Sequence, residues 1–150
     1  MMTFIYFLEL ERLAVDWVAR CKYEHPDPKI YPQYSGIGQN LGITPEPLPG
    51  LTYPTHVWAD EFFDYNFSNN LCKRVCGHYT QMVWATSTEV GCAIKLCDNV
   101  YPATYSPVHF LVCHYKPWGN IPGEKPYRAG NFCTECPPES TCHRRQCVKT

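Results

Sequence analysis

The chain has 150 residues, of which 45% are hydrophobic and 15% aromatic, so it can bury a core and is not a disordered or low-complexity sequence. Its net charge of −1, from 13 basic and 14 acidic residues, argues against a nucleic-acid partner. No apolar run approaches the roughly 20 residues that a membrane-spanning helix needs, and we expect no transmembrane segment.

Helices are predicted in the first 90 residues. From Leu10 onward, apolar residues recur at i, i+3, i+4, i+7 and i+8, which is the spacing of one helical face. The region 26–54 is rich in proline and glycine and is predicted to be a long loop with a short ordered stretch at 38–41. The predicted helices span residues 8–23, Thr55 (as N-cap) to about Tyr65, and 78–86.

Two strands are predicted next. Residues 90–96 alternate apolar and other side chains, which favours a strand covered on one face, whereas residues 108–115 are apolar on both faces and indicate a central strand. The loop over 98–106 is long enough for an antiparallel return. Helices combined with neighbouring antiparallel strands predict an α+β fold.

The ten cysteines indicate the redox environment in which the protein folds. Four fall between residues 133 and 147, and such a density favours an oxidising environment with about five disulfides. Structural zinc is the alternative, but the one CxxC, Cys133–Cys136, has no second CxxC or paired histidines. Residues 1–8 lack the features of a secretion signal, so we expect a chain that is a fragment or has a misassigned start.

Two segments carry a resemblance to a known family. They are GHYTQMVW at residues 77–84, followed by Gly91-Cys92, and FLVCHYKPWGNI at residues 110–121. In order and spacing they resemble the two signature motifs of the CAP superfamily (cysteine-rich secretory proteins, antigen 5 and pathogenesis-related proteins). The cysteine-rich tail resembles the hinge of venom-allergen-like and glioma-pathogenesis-related-like members.

The resemblance implies a three-layer α-β-α sandwich with a mainly antiparallel central sheet, an open cleft and a small disulfide-rich C-terminal hinge. The expected division is a CAP domain at residues 1–128, lacking the family's first helix, and a hinge at residues 129–150. The family pattern also implies a disulfide pairing, with the last pair left as a local one: Cys21–Cys97, Cys92–Cys113, Cys133–Cys142, Cys136–Cys147 and Cys72–Cys76.

The resemblance also implies a cleft tetrad, carried here by His25, His78, Glu61 and Gln39. The family has glutamate where Gln39 stands in Gly-Gln-Asn-Leu, so this position departs from the pattern. Two neutral imidazoles can share a divalent ion, and a nearby carboxylate can fix a tautomer through the second ring nitrogen. Two protein ligands predict a weak Zn²⁺ site at His25 and His78 that folding does not require.

The function that the resemblance implies is a secreted, non-enzymatic binding protein for a small lipid or sterol, or for an extracellular, immune-modulating or receptor target. The expected ligand contacts are Phe63, Tyr65 and Phe67, and Asn66-Phe67-Ser68 is a glycosylation sequon. The alternative is a zinc- or His/Glu-dependent secreted peptidase, disfavoured because no nucleophile motif is present and Gln39 cannot act as a general base. The remaining histidines, including His114, are read as structural.

Overall fold

The computed structural model describes residues 1–50, 52–100 and 106–149. Short 3-10 helices occur at Pro32–Tyr34 and Glu61–Asp64. In chain order, the other elements are β1 (Ile5–Tyr6), α1 (Leu8–Val18), β2 (Gly38–Pro45), α2 (Tyr53–Asp60), β3 (Tyr65–Asn66), β4 (Leu71–Cys72), α3 (Gly77–Met82), β5 (Glu89–Cys97), β6 (Val108–Lys116), β7 (Ser140–His143) and β8 (Gln146–Lys149).

A four-stranded sheet in the order β1-β5-β6-β2 forms the middle layer. Strand β6 pairs antiparallel with both β5 and β2, while β1 pairs parallel with β5, so the sheet is mainly antiparallel as predicted. Strand β6 lies between two neighbours, and its residues from Val108 to Tyr115 are buried or half-buried on both faces. Strand β2 lies at the edge of the sheet.

Helix α1 covers one face of the sheet. Its buried residues Leu10, Ala14, Trp17 and Val18 form the helical face expected from the sequence, and Ala14, Trp17 and Val18 pack in a core that includes Val108, Phe110 and Val112 of β6. The helix ends at Val18, earlier than the predicted residue 23. Cys21 adopts a left-handed φ of 51°, which a continuing helix does not allow.

Helices α2 and α3 lie on the other face, which completes the three layers. Trp58 of α2 is buried with Leu111, Cys113 and Tyr115, and Met82 of α3 packs against this cluster. The α-β-α sandwich implied by the family resemblance is therefore confirmed. Cys92 and Cys113 face each other across β5 and β6 and form one of the disulfides.

Several predicted boundaries were wrong. The prediction of a loop over 26–54 missed β2, because glycine and proline interrupt the strand and two of its buried residues, Asn40 and Thr44, are polar. The second helix begins before Thr55, which is inside α2 rather than at its N-cap, and the chain tightens to a 3-10 helix at Glu61. Helix α3 ends four residues before 86, and part of the predicted loop 98–106 lies outside the described residues.

Five disulfides join all ten cysteines, in the pairs that the resemblance implied: Cys21–Cys97, Cys72–Cys76, Cys92–Cys113, Cys133–Cys142 and Cys136–Cys147. The last two lie around the β7–β8 hairpin. Backbone hydrogen bonds of Cys147 with Met1 and Thr3 attach this hairpin to the N-terminal segment. No helix in the described part of the chain is long and apolar enough to cross a bilayer.

Candidate functional site

Glu61 connects the end of helix α2 to the beginning of α3. Its Oε2 accepts hydrogen bonds from the backbone N–H groups of His78, at 3.0 Å, and Tyr79, at 3.1 Å. Its Oε1 lies 2.6 Å from Nδ1 of His78. A carboxylate only accepts, so Nδ1 of His78 carries a proton, and in the neutral form of the ring Nε2 keeps its lone pair.

The ring of His78 is fixed from a second direction by Trp58. The two rings stack with centroids 5.6 Å apart and an angle of 8° between their planes. Trp58 is buried in the core, whereas the His78 side chain keeps 25% of its surface exposed. The imidazole is thus held in one orientation while part of it remains accessible.

His25 is held by a different partner. Its Nδ1 lies 2.7 Å from Oε1 of Gln39, and Nε2 of Gln39 lies 2.8 Å from Nε2 of His114. His114 is fully buried, and its Nδ1 lies 3.3 Å from the carbonyl oxygen of Leu10. Burial is the main cause that lowers the pKa of His114 to about 4, against the opposing effect of the Leu10 hydrogen bond and with a smaller lowering effect from the nearby His25. His114 is therefore a neutral ring at pH 7.

Asn40 connects this group to His78. Its Nδ2 donates to the backbone oxygen of His78 at 3.1 Å and to the hydroxyl of Tyr115 at 3.3 Å. Gln39 and Asn40 are successive residues of edge strand β2, so this strand holds His25 on one side and the His78 segment on the other. The structure thus pairs His25 with Gln39 and His78 with Glu61, and Asn40, next to Gln39 in the strand, contacts the backbone of His78.

His114, expected from the sequence to be structural, was not among the predicted cleft residues. Its pairing partner in the antiparallel register is Gln39, 75 residues earlier in the chain. A buried histidine opposite a polar strand residue was the available signal, but it could not be used because β2 was not predicted as a strand.

The three expected aromatic ligand contacts have different surroundings. Phe63 is 75% exposed. The hydroxyl of Tyr65 donates to Asn70 at 2.7 Å, and its ring packs against Tyr79. Phe67 stacks on Tyr127, with centroids 4.7 Å apart, and Nζ of Lys125 lies 4.6 Å from its ring centroid. Tyr65 and Phe67 are thus engaged in packing, and of the three only Phe63 is largely uncovered.

Two cavities of about 440 Å³ each are formed by the described residues. One lies beside the histidines, lined by residues that include His25, Tyr34, Gln39 and Trp118. The other lies between the N-terminal segment and the C-terminal hairpin, away from the cleft. Sulfurs of Cys133, Cys136 and Cys147 also lie close together, but each is in a disulfide and offers no thiolate to a metal.

Comparisons with known proteins agree with one another. The sequence profile described as "CAP: Cysteine-rich secretory protein family" matches residues 8–115. Cysteine-rich secretory protein LCCL domain-containing 1 of Mus musculus is 37% identical over 156 residues, which cover 95% of this chain and 31% of that protein. The chain thus spans about a third of the length of this relative.

Solved structures extend the likeness to the fold. The structure of Na-ASP-1 superposes with a TM-score of 0.80 at 29% identity, covering 98% of this chain and 38% of that one. The structure of NaASP2 with Zn²⁺ superposes with a TM-score of 0.73 at 27% identity, covering 91% of this chain and 71% of that one.

Proposed function

Because the chain belongs to the CAP, or cysteine-rich secretory protein, family, whose members are generally non-enzymatic binding proteins, we propose that it is an extracellular binding protein whose cleft takes up Zn²⁺ through His25 and His78. The observation that carries this proposal is shared by both histidines. Each Nδ1 faces a side-chain oxygen, at 2.7 Å for His25 and 2.6 Å for His78, which leaves Nε2 as the ligand atom.

The donor set fits a weak zinc site. Neutral imidazole nitrogen is an ordinary zinc ligand, whereas structural sites take four protein ligands. Two histidines with water in the remaining positions give a modest affinity. The fold does not depend on the metal because a two-sided core and five disulfides already stabilise it. The relative NaASP2, solved with Zn²⁺, is a further support.

The same contacts favour binding over peptide hydrolysis. Glu61 is the one carboxylate of the expected tetrad, and it already accepts three hydrogen bonds from His78 and Tyr79. It is therefore not a free general base, and Gln39 has no basic atom to replace it. A catalytic zinc site also commonly has three protein ligands, one more than the two histidines offered here.

The exposure of the aromatic side chains at residues 62–67 indicates what kind of partner the protein binds. Phe62 and Phe63 are 53% and 75% exposed, while the faces of the Phe67 ring are covered by Tyr127 and Lys125. Exposed rings without an enclosing wall support an extracellular protein target over an enclosed lipid or sterol.

Zinc titration followed by calorimetry and native mass spectrometry tests the cleft. The wild-type protein should bind one Zn²⁺, and His25→Ala and His78→Ala should each weaken binding at least about tenfold. His143→Ala is the matched control, because His143 is exposed on the C-terminal hairpin, and it should bind as the wild type does. Equal loss in the control, or no zinc bound by the wild type, would contradict the proposal.

Expression through a secretory pathway tests the compartment and the modification. Asn66 is exposed and its side chain accepts from the backbone of Ser68, so the sequon lies at the surface. The intact mass should show ten oxidised cysteines and a glycan that Asn66→Gln removes. Limited proteolysis near residue 128 tests the proposed division into 1–128 and 129–150, since the disulfides of the hinge lie entirely within it.

A further inference from the structure

We infer that His114 is a positioning residue for His25: through the amide of Gln39 it fixes the proton of His25 on Nδ1 and so leaves Nε2 free to bind a divalent cation. The part that concerns the cation rests on the proposed function. The part that concerns the proton follows from hydrogen-bond donors and acceptors alone and can be measured without metal.

The carbonyl oxygen of Leu10 determines which nitrogen of His114 is the hydrogen-bond donor. A carbonyl oxygen only accepts, so the Nδ1 of His114 that faces Leu10 must carry a proton. His114 has no exposed surface, and a second proton would place an uncompensated charge in the core. The ring is therefore neutral, and its Nε2 is an acceptor.

The side-chain amide of Gln39 links the tautomer of His114 to that of His25. An acceptor at Nε2 of His114, 2.8 Å away, requires the NH₂ group of Gln39 on that side. The amide oxygen then faces His25, where it lies 2.7 Å from Nδ1. Because this oxygen only accepts, Nδ1 of His25 is the donor. The register pair between β2 and β6 keeps the two side chains side by side, so the amide cannot turn over without losing both bonds.

The acceptor at Nε2 of His114 also explains why glutamine fits position 39. A glutamate there could accept from His25, but it has no hydrogen to donate to Nε2 of His114. It would leave two acceptors facing each other inside the protein, or force a second proton onto a buried ring. Gln39 and His114 are thus chemically matched, and the two histidines of the cleft reach the same tautomer by different means: Glu61 for His78, and the His114–Gln39 pair for His25.

Long-range ¹H–¹⁵N correlation spectra of the zinc-free protein at pH 7.5 test the inference, because they show which ring nitrogen of a neutral histidine carries the proton. In the wild type, His25, His78 and His114 should all be protonated at Nδ1. In His114→Asn the Gln39 amide loses its partner, so His25 should become a mixture of tautomers while His78 stays unchanged. Zinc affinity measured by calorimetry should fall about tenfold.

A second variant covers the case in which His114→Asn does not fold. Gln39→Met keeps the length of the side chain, at a partly exposed position of an edge strand, but the thioether neither donates nor strongly accepts hydrogen bonds. In this variant His25 should again become a mixture of tautomers, while His114 keeps its proton on Nδ1. His109→Asn is the matched control on the same strand, away from Gln39, and should leave His25 unchanged.

The outcomes distinguish the role of His114 in fixing the tautomer of His25 from the proposed binding of zinc. His25 protonated at Nε2 in the wild type, or unchanged in both His114→Asn and Gln39→Met, overturns the inference. Expected tautomers together with no zinc binding support the role of His114 in fixing His25 and overturn the proposed zinc function.

Discussion

The imidazole of His78 lies parallel to the indole of Trp58, 5.6 Å away between centroids, and this stacking joins the cleft directly to the core. Trp58 is itself 3% exposed and packs with Leu111, Cys113 and Tyr115 of the sheet. The orientation of a proposed metal ligand therefore depends on a side chain that belongs to the hydrophobic layer.

Trp58→Phe should lower both stability and zinc affinity. The smaller ring leaves a void in the core, which we expect to reduce the free energy of unfolding by about 1–3 kcal/mol. It also covers less of His78, so zinc affinity should fall several-fold. Urea denaturation and zinc calorimetry measure the two effects. Phe132→Leu serves as control because Phe132 is 62% exposed and lines the cavity away from the cleft; an equal loss there would argue against a specific role for the stacking.

Glu61→Gln should disturb His78 without removing it. An amide cannot accept all three hydrogen bonds now made by the carboxylate, so one donor of His78 or Tyr79 loses its partner. We expect a loss of about 1–3 kcal/mol in stability and of about 10- to 100-fold in zinc affinity. Glu24→Gln removes the same charge from an exposed side chain and should change neither. Calorimetry with both variants decides between loss of charge and loss of geometry.

Acid should destabilise the protein through His114. Its native pKa, about 4, lies below the usual value of 6.5, so between these values the unfolded chain binds a proton that the native state does not. Stability is then unaffected by this group above pH 6.5 and falls as the pH drops toward 4, by at most about 1.4 kcal/mol per pH unit. Urea denaturation at several pH values should show a shallower slope in His114→Asn. Equal slopes would contradict a depressed pKa.

Gly91→Ala should separate helix α1 from the sheet. A Cβ at this position would overlap the backbone nitrogen of Glu11 and lie 2.7 Å from the carbonyl carbon of Leu10, so the helix must move. We expect a loss of about 1–3 kcal/mol or more in thermal or urea unfolding. Gly130→Ala, with no atom within 4 Å of its added Cβ, should be nearly neutral. A neutral Gly91→Ala would mean that α1 is less closely packed than described.

Periodic apolar segments were the predictable part of the fold. Helix α1 begins at the predicted residue, and strands β5 and β6 lie within one residue of their predicted ranges, because their side chains bury against neighbours at regular spacing. In β5, however, Ile94 and Leu96 are 36% and 48% exposed, so the predicted apolar side is only partly covered.

Strand β2 could not be predicted in the same way. Its residues Gln39 and Asn40 are polar because they bind side chains and backbone from other elements, and such long-range hydrogen bonds have no local signal. The candidate histidines came from the family resemblance. The contact between Gln39 and His114 came from strand register, which requires knowing that β2 is a strand.

Each proposed zinc ligand lies a few residues after a disulfide-bonded cysteine. Cys21, bonded to Cys97, precedes His25 by four residues, and Cys76, bonded to Cys72, precedes His78 by two. Reduction of these two bonds would therefore release both backbone segments that carry the imidazoles. The amount of bound zinc should thus depend on whether the sample has been exposed to reductants. A preparation purified with thiols would lose zinc before losing its secondary structure.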